Sequence, residues 1–500
     1  MKTAIFLSTL VLASSMTGCL NEGDKHPSQV TDNSIASQYQ GIWHSHAYAT
    51  AFEISHDTIR QFSYSSDYCI QNEQQKTSTS EIARLVRLLE GEQAFEMIAG
   101  YGTPDFAAPG AIYHKESELP NACQHNLITS SEEPDYVQDS TLDLAIFYQF
   151  FTDYYFGFGQ RDIDFDSLYS DVVTLVTPTT PEQELAEYMV YLTNPLADTH
   201  IQIIDSDNVD YAQATNKPLL THQLIAEFAE QHGLPFPIPE VFLDEQTLIA
   251  LNHYIESGYE TQWNLVSDYA TSFTSIHSAA NGLIRWFTNQ GLGYLYIGAM
   301  TGFADETGDD INDAQAALNN LDIALDKALT ELADVEGLII DIRTNSGGND
   351  YISLAIASRF TSQQNVHVYS KQARDGDNKT PLVTVSISPR GEQQYLGNIV
   401  LLTSANTVSA AEVFALAMRQ LPNVTLVGEN TQGAFSDILT FTLPNGMSIG
   451  LSNEYYLSPQ GEWMEYIGVP VDFYVPFFTP EQRQMNIDAG IETAIQLLTE

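Results

Sequence analysis

The stretch Gly337-Leu338-Ile339-Ile340-Asp341-Ile342-Arg343-Thr344-Asn345-Ser346-Gly347-Gly348, "GLIIDIRTNSGG", sets a short apolar run against a polar turn that ends in two glycines. A run of this length between turn residues predicts a strand buried on both faces, of the kind found in parallel sheets. The segments around it alternate in the same sense. "LGYLYIGAM" is strand-like and "INDAQAALNNLDIALDKALTELA" is a long amphipathic helix upstream; "YISLAIASRF" is a helix downstream. Then follow the apolar run "NIVLLTSAN", a helical run from "TVSAAEVFA", the strand "VTLVGE" and a β-rich tail through "SIGLSNEYYLS". Buried strands alternating with helices predict a layered α/β domain over 291–500, with its functional loops at strand ends.

Upstream the texture changes. Residues 39–135 hold short alternating runs such as "AYATAFEIS" and "IRQFSYSS", the pattern of a small β-rich domain. Residues 136–205 are helical: "TLDLAIFYQFFTDYYFGFG" is an aromatic stripe read as core packing, and "PEQELAEYMVYLTNPLADTHIQI" starts at a proline and runs into a loop holding His200. Residues 206–290 mix helical stretches with loops such as "GLPFPIPE" and form an insertion. The "GLG" at Gly291–Gly293 opens a strand, and no PDZ pattern is found in 201–290.

Composition limits the function. The 500 residues are 43% hydrophobic and carry 19 Lys plus Arg against 65 Asp plus Glu, a formal charge of −46. A surface of that sign repels phosphate backbones, so nucleic acid is not an expected partner. The start, "MKTAIFLSTLVLASSMTGC", has one Lys, a short apolar run and small residues before Cys19, as a secretion signal over 1–18 does. Met16-Thr17-Gly18-Cys19 resembles a bacterial lipobox, which implies a lipidated Cys19, a tether over 19–38 and the periplasmic face of an outer membrane. Cys69 and Cys123 remain as a disulfide candidate in an exported chain. Neither Cys-x-x-Cys nor His-Glu-x-x-His spacing occurs, so no metal or cofactor is expected.

Ser409 stands where an apolar run meets a helical one. Ser409 followed by Glu412 is a capping-box pattern, and an exposed hydroxyl at a helix start also suits a nucleophile. "GLIIDIRTNSGG", "TVSAAEVFA", "LVGENTQG" and "EYIGVPVD", in this order, resemble the tail-specific or C-terminal-processing serine peptidase family over about Leu292–Val475. The resemblance implies a crotonase-like α/β spiral catalytic domain. Its commoner branch uses a Lys in a Gly-Lys-Gly turn as base. Here that turn is Gly433-Ala434-Phe435, and no Lys follows Lys379. "LADTHIQI" is similar to the segment that supplies a His in the tricorn-like branch.

Carried over residue by residue, the resemblance implies Ser409 as nucleophile, His200 as base, Thr199 as the hydroxyl beside it and Glu465 as the acid, with Glu462 as a competing carboxylate. Gly347, Gly348 and Ala410 are the expected oxyanion donors, since glycine permits close backbone approach and Ala410 opens a helix. The expected activity is that of a lipid-anchored envelope endopeptidase acting on peptides or unfolded proteins. A non-catalytic binding protein or envelope scaffold on the same fold is the alternative.

Overall fold

The computed structural model describes residues 34–500 except 90, 99–105, 132, 212–213, 271–274 and 305–310. The signal, Cys19 and most of the tether therefore lie outside the described residues. Gly337–Asp341 is the buried strand the sequence predicts, and it sits in the middle of a seven-stranded sheet. In spatial order the sheet runs His277–Ala279, Ile284–Asn289, Leu292–Ile297, Gly337–Asp341, Asn398–Thr403, Val424–Gly428 and Phe473–Tyr474. The first two pairings are antiparallel and the other four parallel.

Alternate residues serve opposite faces, as the period of two requires. Leu338, Ile340, Ile399, Leu401 and Leu426 pack under the helices Ile311–Glu331, Asp350–Ala357 and Ala410–Met418. Ile339, Val400, Leu402 and Val427 face the C-terminal helix Ala489–Thr499. The sheet also takes in His277–Ala279 and Ile284–Asn289, so the layered unit begins upstream of the expected boundary at 291. The turn at Gln290-Gly291 closes a hairpin that the apolar pattern alone did not separate from the insertion.

The N-terminal unit is an eight-stranded sheet between Gly41 and Ile128, cored by Trp43, Phe52, Phe95 and Tyr113. Cys69 and Cys123 are disulfide-bonded within it, both buried, 54 residues apart. Closing such a loop is worth about 4 kcal/mol in the chain-entropy model. The unit meets the C-terminal half through Tyr48, whose hydroxyl donates to Glu454 Oε1 at 2.5 Å, and through Ala47, whose carbonyl accepts from Asn453 Nδ2 at 2.8 Å.

The aromatic stripe is core, as its composition suggests. Asp139 caps Ser140–Tyr154, and Phe147, Phe150 and Phe151 are fully buried, with Phe150 stacked on Phe441 at 4.0 Å between centroids. Phe441 lies in the hairpin Ile438–Thr442 and Ser448–Ser452, to which Gln202–Ile204 adds as a third strand. This addition brings the helical segment's His-bearing loop to the C-terminal half. Asp143 is buried in the same core with Oδ2 unpaired, and burial pushes its pKa up to about 7. A raised folded-state pKa gives stability that is complete near pH 4 and declines as pH rises towards 7. Asp143→Asn should remove that decline and stabilise the protein above pH 7 by about 4 kcal/mol, as read from denaturant melts across pH. An unchanged pH profile would show that Asp143 ionises freely.

Candidate active site

The loop that carries Ser409 is built by strand-end stitching. After Asn398–Thr403, Ser404 Oγ donates to Arg343 O at 2.6 Å, Thr407 Oγ1 to Ile342 O at 3.0 Å and the Val408 N–H to Asn345 O at 3.2 Å. The loop after one buried strand is thereby fastened to the loop after its neighbour. Ser409 then caps Ala410–Met418 with φ 57° and ψ −129°, a conformation that costs a non-glycine residue strain. Such strain places a hydroxyl at the tip of a tight strand-to-helix turn.

Both early readings of Ser409 meet here. Only one half of the capping box is made: the Glu412 carboxylate takes the Ser409 N–H at 3.2 Å, while the Glu412 N–H goes to the Ser409 carbonyl at 2.8 Å and the Ser409 hydroxyl makes no side-chain cap hydrogen bond. Glu412 is fully buried and spends its oxygens elsewhere: it accepts from Thr431 Oγ1 at 2.6 Å, from the Gly433 N–H at 2.7 Å and from the Ala434 N–H at 2.8 Å. Glu412, which the sequence offers as a capping partner, thus folds the Gly433-Ala434-Phe435 turn against Ser409.

That turn connects the expected catalytic groups. Ala434 O accepts from the Ser409 N–H at 2.9 Å, the Phe435 N–H donates to Glu465 Oε2 at 2.9 Å, and the Ser436 main chain lies near enough to the His200 ring to act on its charge. Gly433 is required, because a Cβ there would lie 2.5 Å from the Tyr466 main chain. Lys217, from the 206–290 insertion, clasps the same turn from behind. Its ammonium donates to Thr431 O, Gln432 O and Ile467 O at 2.5, 2.9 and 3.0 Å.

His200 comes from the opposite side. Asp198 Oδ1 accepts the His200 N–H at 3.0 Å and the Ser452 hydroxyl at 3.3 Å, and Asp198 Oδ2 accepts from Tyr155 OH at 3.0 Å. The imidazole is 3% exposed, and burial lowers its pKa against the pull of the Asp198 and Asp437 carboxylates. The ring is therefore neutral near pH 7, the state a general base needs. Asp437, 47% exposed beside it, is paired with Lys371 at 2.7 Å.

Glu465 is fully buried, whereas Glu462 is exposed in a hairpin turn next to Ser458, so only Glu465 reaches the site. Burial and the Asp198 carboxylate raise the Glu465 pKa, opposed by the Phe435 N–H and Arg161. Three polar atoms of the expected tetrad are buried without a partner: Thr199 Oγ1, His200 Nδ1 and Glu465 Oε1. Among the described residues no hydrogen bond joins Ser409 Oγ to His200. Catalytic hydrogen bonds are often long before substrate arrives.

The oxyanion expectation needs one correction. The Gly347 N–H is taken by Asn345 Oδ1 at 2.9 Å, so it does not face substrate. Its lack of a side chain matters for another reason: a Cβ at Gly347 would lie 2.7 Å from Ser409 Cβ. Among the described residues the N–H groups of Gly348 and Ala410 have no protein partner, and Gly348 is exposed. These two remain as donors. Sequence reading missed Asp198 as an organiser, although it stands two residues before His200. It also missed Glu412 beyond its capping pattern, and Arg161, a cation that closely follows the aromatic stripe.

Comparison with known proteins places this geometry in context. Residues 291–475 match the model of peptidase family S41. The chain is 28% identical over 145 residues to the carboxy-terminal processing protease CtpB of Bacillus subtilis, covering 29% of each protein. It is 28% identical over 166 residues to a carboxyl-terminal-processing protease of Synechocystis, covering 33% of this chain and 37% of that one. The match thus spans about a third of the length of these relatives. A solved structure of a candidate peptidase from Parabacteroides merdae shares the fold at a TM-score of 0.53 and 22% identity, covering 72% of this chain and 97% of the other.

Proposed function

We propose, for a chain that belongs to peptidase family S41, that it is a serine endopeptidase cleaving peptides or unfolded proteins through an acyl-enzyme on Ser409. The observation that carries this reading is the Ala434–Phe435 turn, which hydrogen-bonds Ser409 and Glu465 in successive residues and leads into Ser436 beside the His200 ring. A neutral, desolvated His200 takes the Ser409 proton as Oγ attacks the carbonyl carbon. The oxyanion is received by the Gly348 and Ala410 N–H groups, the second at the positive end of a helix. Thr199 and Glu465, each with a free buried oxygen, serve as hydrogen-bond acceptors for the other ring N–H and stabilise the charged imidazolium without taking its proton. His200 then returns its proton to the leaving amine, and water repeats the sequence to release the acid.

A fluorophosphonate probe tests the reading directly. Wild-type protein is expected to be labelled at Ser409, as located by peptide mapping, and His200→Ala should lose the label. Absence of labelling in folded wild type, together with no cleavage of casein, would favour a non-catalytic binding role on this fold.

The proposed location is the periplasmic face of an outer membrane, through lipidated Cys19, supported by the lipobox-like Met16-Thr17-Gly18-Cys19 and the polar tether after it. Cys19→Ser should move the protein from the membrane to the soluble fraction on cell fractionation. Continued membrane association of that variant would refute lipid anchoring.

A further inference from the structure

Arg161 ends the short helix Phe158–Arg161 and is buried, with 2% of its side chain exposed. A buried guanidinium normally uses its whole fork. Among the described residues this one has a single long polar contact, Nη2 to Asp198 Oδ2 at 3.5 Å, while Nε and Nη1 have no partner. Its surroundings are built for it. A Cβ at Gly157 would lie 2.1 Å from Nη1, so a side chain there would displace the guanidinium, and the Tyr155 and Tyr466 rings flank the cation with centroids 5.7 and 5.1 Å from Cζ. Tyr466 directly follows Glu465, and the neighbouring Gln160 donates to Glu465 O at 2.6 Å. Two free guanidinium N–H groups therefore sit beside a carboxylate whose Oε1 is also free.

We propose that Arg161 is the positioning residue of the catalytic acid, closing its unpaired N–H groups onto Glu465 and so fixing the direction and charge that Glu465 presents towards His200. The inference rests on the reading of Glu465 as the acid member. Glu465 faces Asp198, Arg161, Glu412 and Tyr155, and His200 faces Asp198 and Asp437. Arg161 is the only cation among these groups, and two carboxylates, Asp198 and Glu465, share it. Removing its charge leaves Glu465 protonated to higher pH.

The test compares Arg161→Met with Arg161→Lys. Arg161→Met should lower kcat at least tenfold on a casein-derived peptide, leave KM within about twofold and move the Glu465-dependent part of the acid limb, the part that a Glu465→Gln variant lacks, by about one unit towards alkaline pH. Arg161→Lys should keep the limb in place. Arg161→Gln takes the place of the Met variant if that variant does not fold.

A second readout needs no turnover. The melting-temperature difference between the parent and its Glu465→Gln variant, followed against pH, reports ionisation of Glu465. The raised folded-state pKa means the parent loses stability as pH rises through it, and in the Arg161→Met background that loss should come at higher pH. An unchanged limb and unchanged melting crossover, or Lys and Met variants equally impaired, would overturn the proposal. A wild type inert towards peptide and phosphonate would sink the peptidase reading, while the melting experiment would still decide the role of Arg161.

Discussion

Ser409→Ala is expected to lower turnover by roughly a million-fold, about 8 kcal/mol of transition-state stabilisation, while stability scarcely moves. The magnitude follows from what the hydroxyl is for. A cap worth having contributes about 1 kcal/mol through its side-chain hydrogen bond, and the Ser409 hydroxyl makes none. The helix start is held instead by Glu412, whose carboxylate takes the Ser409 N–H, and by the Ser409 carbonyl, which accepts the Glu412 N–H at 2.8 Å; alanine keeps both. The strained backbone at φ 57° is likewise retained, since Val408 and Ser409 are tied to Asn345 and Ala434 through main-chain atoms. Casein hydrolysis and thermal melts of matched preparations measure both quantities. Equal turnover in wild type and variant, or a large loss of stability without loss of turnover, would return Ser409 to a structural role.

How far the sequence reveals this site depends on the range of each interaction. Gly337–Asp341 and Asn398–Thr403 are legible because burial on both faces leaves an unbroken apolar run, and the glycines at 347 and 348 are legible because the backbone conformation there demands them. The cysteine pair follows from export and even count. Asp198, Arg161 and Glu412 are not legible in the same way. Their roles are set by partners far along the chain, such as Ser452 for Asp198 and Ala434 for Glu412, and no local period records such pairings.

The occupied N–H of Gly347 is a related case. The motif gives the glycine, while the direction of its N–H depends on the side chain of Asn345. The insertion shows the same limit from the other side. Residues 206–290 read as an addition to the fold, yet Lys217 from this segment clasps the carbonyls of the turn that, in the Lys-dependent branch the sequence resembles, would carry the base.

The second large effect is expected at His200. His200→Ala should reduce turnover by a factor similar to that of the Ser409 substitution, because a serine hydroxyl without a base is a weak nucleophile and members of such a unit are not additive. The pH dependence separates loss of a base from general damage. Burial lowers the imidazole pKa below its ordinary value, so kcat/KM in the wild type should rise from acid pH and level off near neutrality as the ring loses its proton. Residual activity in His200→Ala should lack that rise.

Stability gives an independent readout with a defined sign. A histidine whose folded-state pKa lies below its unfolded value contributes stability that is present above about pH 6.5 and lost as pH falls through the folded value. The variant should lose this acid-side decline even though its turnover is abolished, and it should remain folded at neutral pH, because Asp198 binds the backbone N–H of residue 200 rather than its ring. Denaturant melts at pH 5 and pH 8, beside rate profiles over the same range, provide the comparison. A folded His200→Ala protein that kept both its rate and its acid limb would place the base elsewhere, and the Ala434–Ser436 turn would then be joining Ser409 and Glu465 to a merely structural histidine.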